Sequence, residues 1–402
     1  MTGRDAEVVV VGGGPAGSMT AMLLAQRGHQ VLLLDKSTFP RHKACSEYIN
    51  AGGVRVLREV GLLDDVRKAG AHVVDGMIVH APGGNRYFAD VAHAAPGRHG
   101  LGLSRYRLDQ ILLDGARRSG VDVCENAWVR SVDLDPAAGV RLEVSEGRQR
   151  RQIRCSFVVG ADGAHSVVSR SLGLDRHVRW PRRTGLVAHY RGVAGLERSG
   201  EMHVTEGGYA GLAPLEDGLS NVAVVVDSDR VRGRPDSVSD FFDSILASLP
   251  NVAGKLEGSE RVGTVRGVGP MSRRVGRTAG ARFALVGDAA GFLDPFTGDG
   301  IYEGLRAAQL AAPVISQALN RHDFTDAAMG DYRRARQRVF TGKRQVCWIV
   351  QGFIHQPALM DYVTVRLNER ESVGDILTAV LANVSPARKA LSPLFLARLL
   401  RP

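Results

Sequence analysis

The sequence predicts an α/β fold: a Rossmann-like dinucleotide-binding domain assembled from discontinuous segments, an inserted strand-rich substrate domain, and a helical C-terminus. Three observations predict it. A strand, a glycine turn, a helix and a second strand follow one another within the first thirty-five residues. A short buried strand, Phe283–Val286, runs into another glycine-rich turn far down the chain. Between them, Thr184–Asp227 alternates in the manner of several antiparallel strands.

Each element follows from its local pattern. Glu7–Val11 is nearly all valine, which suits a parallel strand buried on both faces. It stops at Gly12-Gly13-Gly14, and Pro15, with φ already near the helical value, opens a helix. From Ala16 to Gln26 apolar residues recur at helical spacing, Gly28 ends the run, and Gln30–Leu34 is a second apolar strand finishing at Asp35. Asn50–Lys68 predicts one helix, with Val54, Leu57, Val60 and Leu63 on its apolar face. His72–Val79 and Arg86–Phe88 predict short strands around Pro82-Gly83-Gly84, and Arg105–Ser119 a helix closed by Gly120. Strands are expected at Val121–Glu125 and Trp128–Val132, then a hairpin through Asp135-Pro136 leading to Ile153–Val159. Asp217-Gly218 is a hairpin turn signal, and everything after Gly300 reads as helix, broken near Pro357, Pro386 and Pro393. The dinucleotide-binding parts are therefore 1–74, 105–175 and 276–325. Substrate-domain strands occupy 75–104 and 176–275, and the helical C-terminal region is 326–402.

Composition bounds the class. Of 402 residues, 44% are hydrophobic and 23% charged, the proportions of a soluble globular protein large enough for about two to three domains. Glycine is abundant, 48 residues without a collagen period, which points to turns and close backbone approaches. Cys45, Cys124, Cys155 and Cys347 lie far apart with no CxxC pair, which argues against zinc, against a disulfide framework, and for a reduced cytoplasmic setting. Charged Arg4, Asp5 and Glu7 leave no room for a signal peptide, and no apolar run approaches the ~18 residues a transmembrane helix needs. The 52 basic against 42 acidic residues give a net charge of +10. The runs Arg148–Arg154 and Arg179–Arg183 have no interleaved aromatic ladder, so solvated hairpins or a field that steers an anionic cofactor are expected, not nucleic acid.

Three motifs carry chemistry. Gly12-x-Gly14-x-x-Gly17 lies between strand and helix, with Asp35 closing the next strand 18 residues beyond Gly17. The first glycine allows the tight turn, the second lets backbone approach a pyrophosphate, and the third lets helix pack on strand. The acid can accept from a ribose 2′-hydroxyl. The second motif, Gly287-Asp288-Ala289-Ala290-Gly291, continues into Asp294-Pro295-Phe296-Thr297-Gly298-Asp299-Gly300-Ile301. There Asp288 can bond a polyol chain, and a helix N-terminus can stabilise negative charge on a reduced flavin ring. The third is Gly160-Ala161-Asp162-Gly163-Ala164-His165-Ser166, followed by Arg170.

Taken together these motifs resemble FAD-dependent oxidoreductases of the para-hydroxybenzoate hydroxylase fold, the group A flavin monooxygenase superfamily, and within it the geranylgeranyl-reductase-like branch. The stretch Phe39-Pro40-Arg41-His42-Lys43-Ala44-Cys45-Ser46-Glu47 resembles that branch's FPR-x-K-x-C-G signature, with Ser46 in place of the common glycine. Ser104-Arg105-Tyr106-Arg107-Leu108-Asp109 resembles its helix start. The resemblance spans about residues 6 to 320 and implies a GR2-type FAD-binding domain. It places Gly12, Gly14, Pro15, Ala16 and Gly17 at the pyrophosphate, Asp35 and Lys36 at the adenosine ribose, and Val129 at adenine. Arg41 and Arg105 become counter-charges along the cofactor, and Asp288 meets the ribityl or pyrophosphate region. Gly298, Gly300 and Ile301 lie at the flavin ring. Asp162 belongs to the motif associated with NAD(P)H, the implied reductant.

Departures bear on the reaction. Reductases of the branch carry Y-x-W-x-F-P in the substrate sheet, where this chain has Tyr209-Ala210-Gly211-Leu212-Ala213-Pro214; the W-x-W-x-I-P of related halogenases is absent too. Small Gly211 and Ala213 would admit a wider, polycyclic or polyketide-like substrate of secondary metabolism. The expected activity is a monooxygenase that consumes NAD(P)H and molecular oxygen to hydroxylate or epoxidise an apolar small molecule. Alternatives are reduction of isoprenoid C=C bonds, and a redox-neutral cyclase or ligand-binding flavoprotein. No protein nucleophile is required. Glu47 and Tyr209 are the candidate catalytic side chains, with His42 beside Glu47; the alternatives are salt-bridged or solvated roles for Glu47 and His42 and strand packing for Tyr209, and Cys45 reads as a small buried thiol more than a reactive one. No metal site is expected. The leucines of 386–402 are expected to pack on the body, the alternative being contact with an anionic membrane surface.

Overall fold

The computed structural model describes residues 5–135, 139–178, 180–232 and 237–401. The turn expected at Pro136, and Arg4 and Arg179 of the charged runs, lie outside the described residues.

Two large sheets organise the chain. The first has the order Ala279–Gly280, Phe283–Leu285, Gln149–Gly160, Ala6–Val11, Val31–Leu34, Asp122–Cys124, and a hairpin of Ala127–Asp135 with Gly139–Glu146 branches from Gln149–Gly160. From Phe283–Leu285 to Asp122–Cys124 the strands are parallel. Val8, Val9 and Val10 are fully buried, as a strand covered on both faces requires. Helix Pro15–Ala25 covers one face, packed against helix Gly300–Arg321. Their close approach needs small residues: a Cβ on Gly304 would lie 3.3 Å from Ala16 Cβ.

The second sheet has seven strands in the order Glu260–Val268, Arg183–Arg191, Leu219–Asp227, Gly208–Pro214, Ser199–Thr205, Gly76–His80, Arg86–Asp90. All pairings are antiparallel except Ser199–Thr205 with Gly76–His80. The turn at Asp217-Gly218 has φ of +53° and +68°, the left-handed pair that a tight hairpin demands. The inner face of this sheet packs on C-terminal helices through Met202, Val204, Tyr209 and Val225 against Val346, Val350, Ile354 and Met360. A third, three-stranded sheet joins Tyr48–Ile49, Gly100–Gly102 and His72–Val74.

Three expectations are corrected. Asn50–Lys68 is two helices, Ala51–Glu59 and Leu63–Lys68. Gly61 adopts φ +76°, and the Gly61 and Leu62 N–H groups bond back to Arg58 and Leu57, closing the first helix although the apolar spacing continues. The region 176–275 also contains helices Val238–Ala247 and Pro250–Leu256. Phe241, Phe242 and Leu246 cover the outer face of the second sheet there, against Leu186, Ala188 and Val224. His72–Val79 is two strands, not one. At the C-terminus, helix Pro393–Leu400 buries Phe395 and Leu399 but leaves Leu394 63% and Leu400 47% exposed. No helix among the described residues is long and apolar enough to cross a membrane.

The third glycine of the first turn gives a direct test of this packing. A Cβ on Gly17 would overlap the carbonyl oxygen of Gly12, which is backbone and cannot rotate away. Gly17→Ala is expected to cost about 3 kcal/mol, the upper end of ordinary overpacking, or more, read as a lower urea midpoint with an unchanged slope.

Candidate functional site

Four parallel strands end level with one another. Val11 pairs with Gly160 on one side and Leu34 on the other, and Gly160 pairs with Leu285. The loops that follow therefore meet above one sheet edge, the position where open α/β sheets bind ligands. They line a cavity of about 660 Å³ that continues to the inner face of the seven-stranded sheet.

Of the residues expected to hold a cofactor, Gly12, Gly14, Pro15, Ala16, Asp35, Lys36, Arg41, Arg105, Val129, Asp162, Asp288, Gly298, Gly300 and Ile301 all line this cavity. Gly17 does not; it sits beneath the turn. Gly12 has φ +105°, and a Cβ there would lie 2.5 Å from Ala161 O. Helix Pro15–Ala25 has no side-chain cap, so its first N–H groups remain free for a ligand. Asp35 accepts from the backbone N–H of Gly13 at 2.6 Å and of Ser37 at 2.8 Å, bracing the glycine turn from the next strand. Lys36 and Arg130 both lie over the ring of Trp128, which also lines the cavity beside Val129.

One buried carboxylate fixes the two arginines. Asp109 has no solvent exposure; it accepts from Arg105 Nε at 2.6 Å and Nη2 at 2.7 Å, and from Arg41 Nη1 at 2.9 Å. Both guanidinium groups flank Gly14: a Cβ there would be 3.5 Å from Arg105 Nη2, one of the nitrogens that Asp109 holds, and 3.9 Å from Arg41 Nη2. Lys43 adds a third cation to the cavity wall. It is open to solvent through the cavity, yet the surrounding protein and then the Arg105 charge push its ammonium below the ordinary lysine range.

Across the cavity, Asp162 Oδ2 accepts from Val167 N at 2.6 Å, while Oδ1 is buried and has no partner. Burial raises the pKa of both Asp162 and Asp288, and Lys43 and Arg105 oppose the rise at Asp288. Gly298 has φ +63°, and helix Gly300–Arg321 starts beside it with its N-terminus toward the cavity. Asp299, at that N-terminus, accepts from Asn50 Nδ2 at 3.2 Å and Asn383 Nδ2 at 2.6 Å, with Lys343 Nζ at 3.4 Å. The C-terminal region thereby holds the loop whose Gly298, Gly300 and Ile301 line the cavity.

The two candidate catalytic residues are placed differently. Tyr209 lines the cavity, is 4% exposed and donates to Asp294 Oδ1 at 2.7 Å; burial and the Asp294 charge raise its pKa well above the ordinary tyrosine value. Glu47 lies behind the wall. It is 1% exposed and its carboxylate is taken by Arg105 N at 2.7 Å, His189 Nε2 at 2.6 Å and Asn221 Nδ2 at 2.9 Å. Of the two roles open to Glu47, proton handling and a paired structural group, its placement is that of a brace between the arginine helix and the second sheet. Cys45 and His42 both line the cavity, and Cys45 is half-buried. Sequence reading missed Lys43, Tyr48 and Trp128 on the wall. Tyr48 packs on Gly298, and only the three-dimensional pairing of Tyr48 with Gly102 brings it there.

These residues fit a long dianionic dinucleotide. The glycine turn opens at Gly14 between Arg105 and Arg41, Lys43 lines the same cavity beside Gly163, and a buried oxygen of Asp162 has no partner on the wall. Such a fold and site define a flavin-dependent enzyme of the oxidoreductase type. The family described as "FAD binding domain" matches residues 5–347, and the chain belongs to it. It is 30% identical over 328 residues to menaquinone reductase of Mycolicibacterium smegmatis, covering 77% of this chain and 76% of that protein. It is 28% identical over 336 residues to digeranylgeranylglycerophospholipid reductase 1 of Methanococcoides burtonii, covering 82% and 78%. Among solved structures it is similar to the flavin-dependent halogenase CmlS, with a TM-score of 0.76 and 27% identity, covering 85% of this chain and 63% of that one.

Asp109 supplies the test of the cradle. Asp109→Asn removes the charge shared by two arginines, and breaking such a buried pair costs about 3–5 kcal/mol. FAD retention on dialysis, followed by flavin fluorescence, is expected to fall with it, while Asp217→Asn, an exposed ion-pair partner of Arg107, leaves retention unchanged.

Proposed function

We propose that the chain is a monooxygenase that uses bound FAD, NAD(P)H and molecular oxygen to hydroxylate or epoxidise an apolar, broad small molecule. The observation that carries this reading is the sheet wall. Tyr209, Gly211 and Ala213 face the cavity in succession, so the positions occupied by Trp and Phe in the reductase pattern present a hydrogen and a methyl group. Around them Val187, Met202, Val225, Val268, Met271, Phe292 and Phe296 supply an apolar surface without a charged side chain. Neutral Asn221 and Tyr209 are its polar points. A polycyclic or polyketide-like substrate suits that width and polarity, and flexible methionines can adapt to its outline.

When bound, FAD would supply the redox chemistry, taking two electrons from NAD(P)H for the reduction of O₂, of which one oxygen atom enters the substrate and the other leaves as water. The protein's residues bind, orient and exclude water. Arg41, Arg105 and Lys43 would neutralise the pyrophosphate, Asp35 and Lys36 would hold the ribose, Val129 and Trp128 the adenine end, and Asp288 the polyol. Gly298, Gly300 and Ile301 would present backbone N–H groups and the helix N-terminus to the ring. That arrangement stabilises negative charge there. The Phe292, Phe296 and Met271 side of the chamber keeps water from the reacting face. Tyr209, whose O–H is donated to Asp294, is placed to accept from a hydroxyl of the substrate. Overall, substrate, O₂, NAD(P)H and a proton give oxygenated product, water and NAD(P)⁺.

A second reading, reduction of a C=C bond in an isoprenoid, is favoured by the two curated relatives named as reductases. Turnover under ¹⁸O₂ with mass analysis separates the two. Gain of one labelled oxygen per NAD(P)H consumed supports the monooxygenase; gain of two hydrogens, also without air, replaces it with the reductase. Gly211→Trp is expected to retain FAD but lower turnover of a broad substrate about tenfold to a hundredfold, the equivalent of roughly 1–3 kcal/mol of overpacking.

A further inference from the structure

The outer face of the seven-stranded sheet carries a cluster that the cavity does not use. Side chains alternate along Ser199–Thr205, so Met202 faces the cavity while Glu201 and His203 face away. Parallel pairing sets His203 directly beside His80 of Gly76–His80, and the two imidazoles stack with centroids 4.2 Å apart and planes within 6°. Glu201 Oε2 lies 2.9 Å from His203 Nε2 and 3.5 Å from His80 Nε2, and the three atoms fall within 4.8 Å of one another. His80 Nε2 is buried and makes no hydrogen bond of good geometry, Glu201 Oε2 standing off at 3.5 Å. The other oxygen of Glu201 meets Lys255 Nζ at 3.0 Å, from helix Pro250–Leu256.

A buried ring nitrogen facing a buried carboxylate without a good hydrogen bond calls for something to join them, a proton or a cation. Two imidazoles and one carboxylate make the donor set of a borderline divalent ion, whereas Mg²⁺ and Ca²⁺ take oxygen shells. The geometry points to a transition-metal site formed by His80 Nε2, His203 Nε2 and Glu201 Oε2, with Zn²⁺ the representative ion and the remaining position left for water. Binding requires a modest turn of the stacked rings so that both lone pairs converge on the carboxylate oxygen. Lys255 is the built-in competitor, since its ammonium holds the same carboxylate. An ion here clips Gly76–His80 to Ser199–Thr205, the two strands whose opposite faces present Met77 and Met202 to the cavity. The site is thus a structural fastener on the chamber wall, independent of the reaction performed inside.

A second group, His93 with Glu371 and Asp375, is exposed and serves as the internal control. Zn²⁺ is titrated calorimetrically into tag-free, FAD-loaded protein and into His80→Gln, His203→Gln, Lys255→Met and His93→Gln variants, each checked for FAD content and circular dichroism. The expected result is one site retained in His93→Gln and tightened in Lys255→Met. Affinity in His80→Gln and His203→Gln should fall by more than the roughly 10–100-fold that loss of an outer-shell partner costs. Absence of Zn²⁺ binding in both the wild-type and Lys255→Met proteins would overturn the assignment. So would binding that survives both ligand variants, or binding that disappears in His93→Gln.

Discussion

The register of four parallel strands is the constraint on which the site depends. Val11, Leu34, Gly160 and Leu285 end level because the strands pair without slippage. A shift of one residue would carry each side chain to the opposite face and into different neighbours, since Val8 and Val10 pack in one core and Val9 and Val11 in the other. Level ends bring Gly12–Gly17, Asp35–Arg41, Ala161–Ser166 and Gly287–Gly291 together although they are scattered along most of the chain. Hydrogen bonds between the strand ends lock the arrangement: Gly12 N to Leu34 O at 2.7 Å, Ala161 N to Val11 O at 2.8 Å, Val286 N to Gly160 O at 2.9 Å. The cradle is a consequence of sheet packing before it is a feature of any loop.

Charge is arranged around that cradle by the same economy of buried partners. Arg41 and Arg105 stand at the glycine turn only because Asp109, itself without exposure, takes three of their N–H groups. Glu47 adds a second brace, accepting the N–H at the start of the arginine helix while holding His189 and Asn221 of the second sheet. It does so at φ +57°, an uncommon conformation for a residue with a side chain. A carboxylate satisfied three times over suits a joint between sheets better than a group that must exchange protons with a substrate. Asp299 plays the matching part at the other end, drawing Asn50, Asn383 and Lys343 onto the loop before helix Gly300–Arg321.

The fold and the cofactor cradle were legible because they are written in local pattern. Valine runs, positive-φ glycines and the acid after the second strand each report a short-range requirement, and every expected cradle residue except Gly17 reaches the cavity. Gly17 is the instructive exception: its task is to let helix meet strand, so it belongs under the turn. What escaped the sequence depends on tertiary partners. Helix Val238–Ala247 looked like part of a strand-rich stretch because its Phe241 and Phe242 bury against a sheet far from it in sequence. Tyr48 and Trp128 reach the wall only through strand pairing. Glu47 could not be assigned one role from its own stretch because its partners Arg105, His189 and Asn221 come from three other segments.

Cradle and chamber answer to different physics, and this explains why the cofactor is easier to name than the reaction. A pyrophosphate demands free N–H groups, glycines and paired cations at fixed spacing, so few sequences serve. An apolar substrate demands only volume and the absence of charge, which Gly211, Ala213, Val225 and Met271 satisfy together without any of them being individually required. The same sheet positions can carry large aromatic side chains for one substrate and small ones for another without disturbing the level strand ends beneath. Divergence of the wall on a constant cradle is therefore the expected course for this fold, and Gly211 and Ala213 are small residues on that wall.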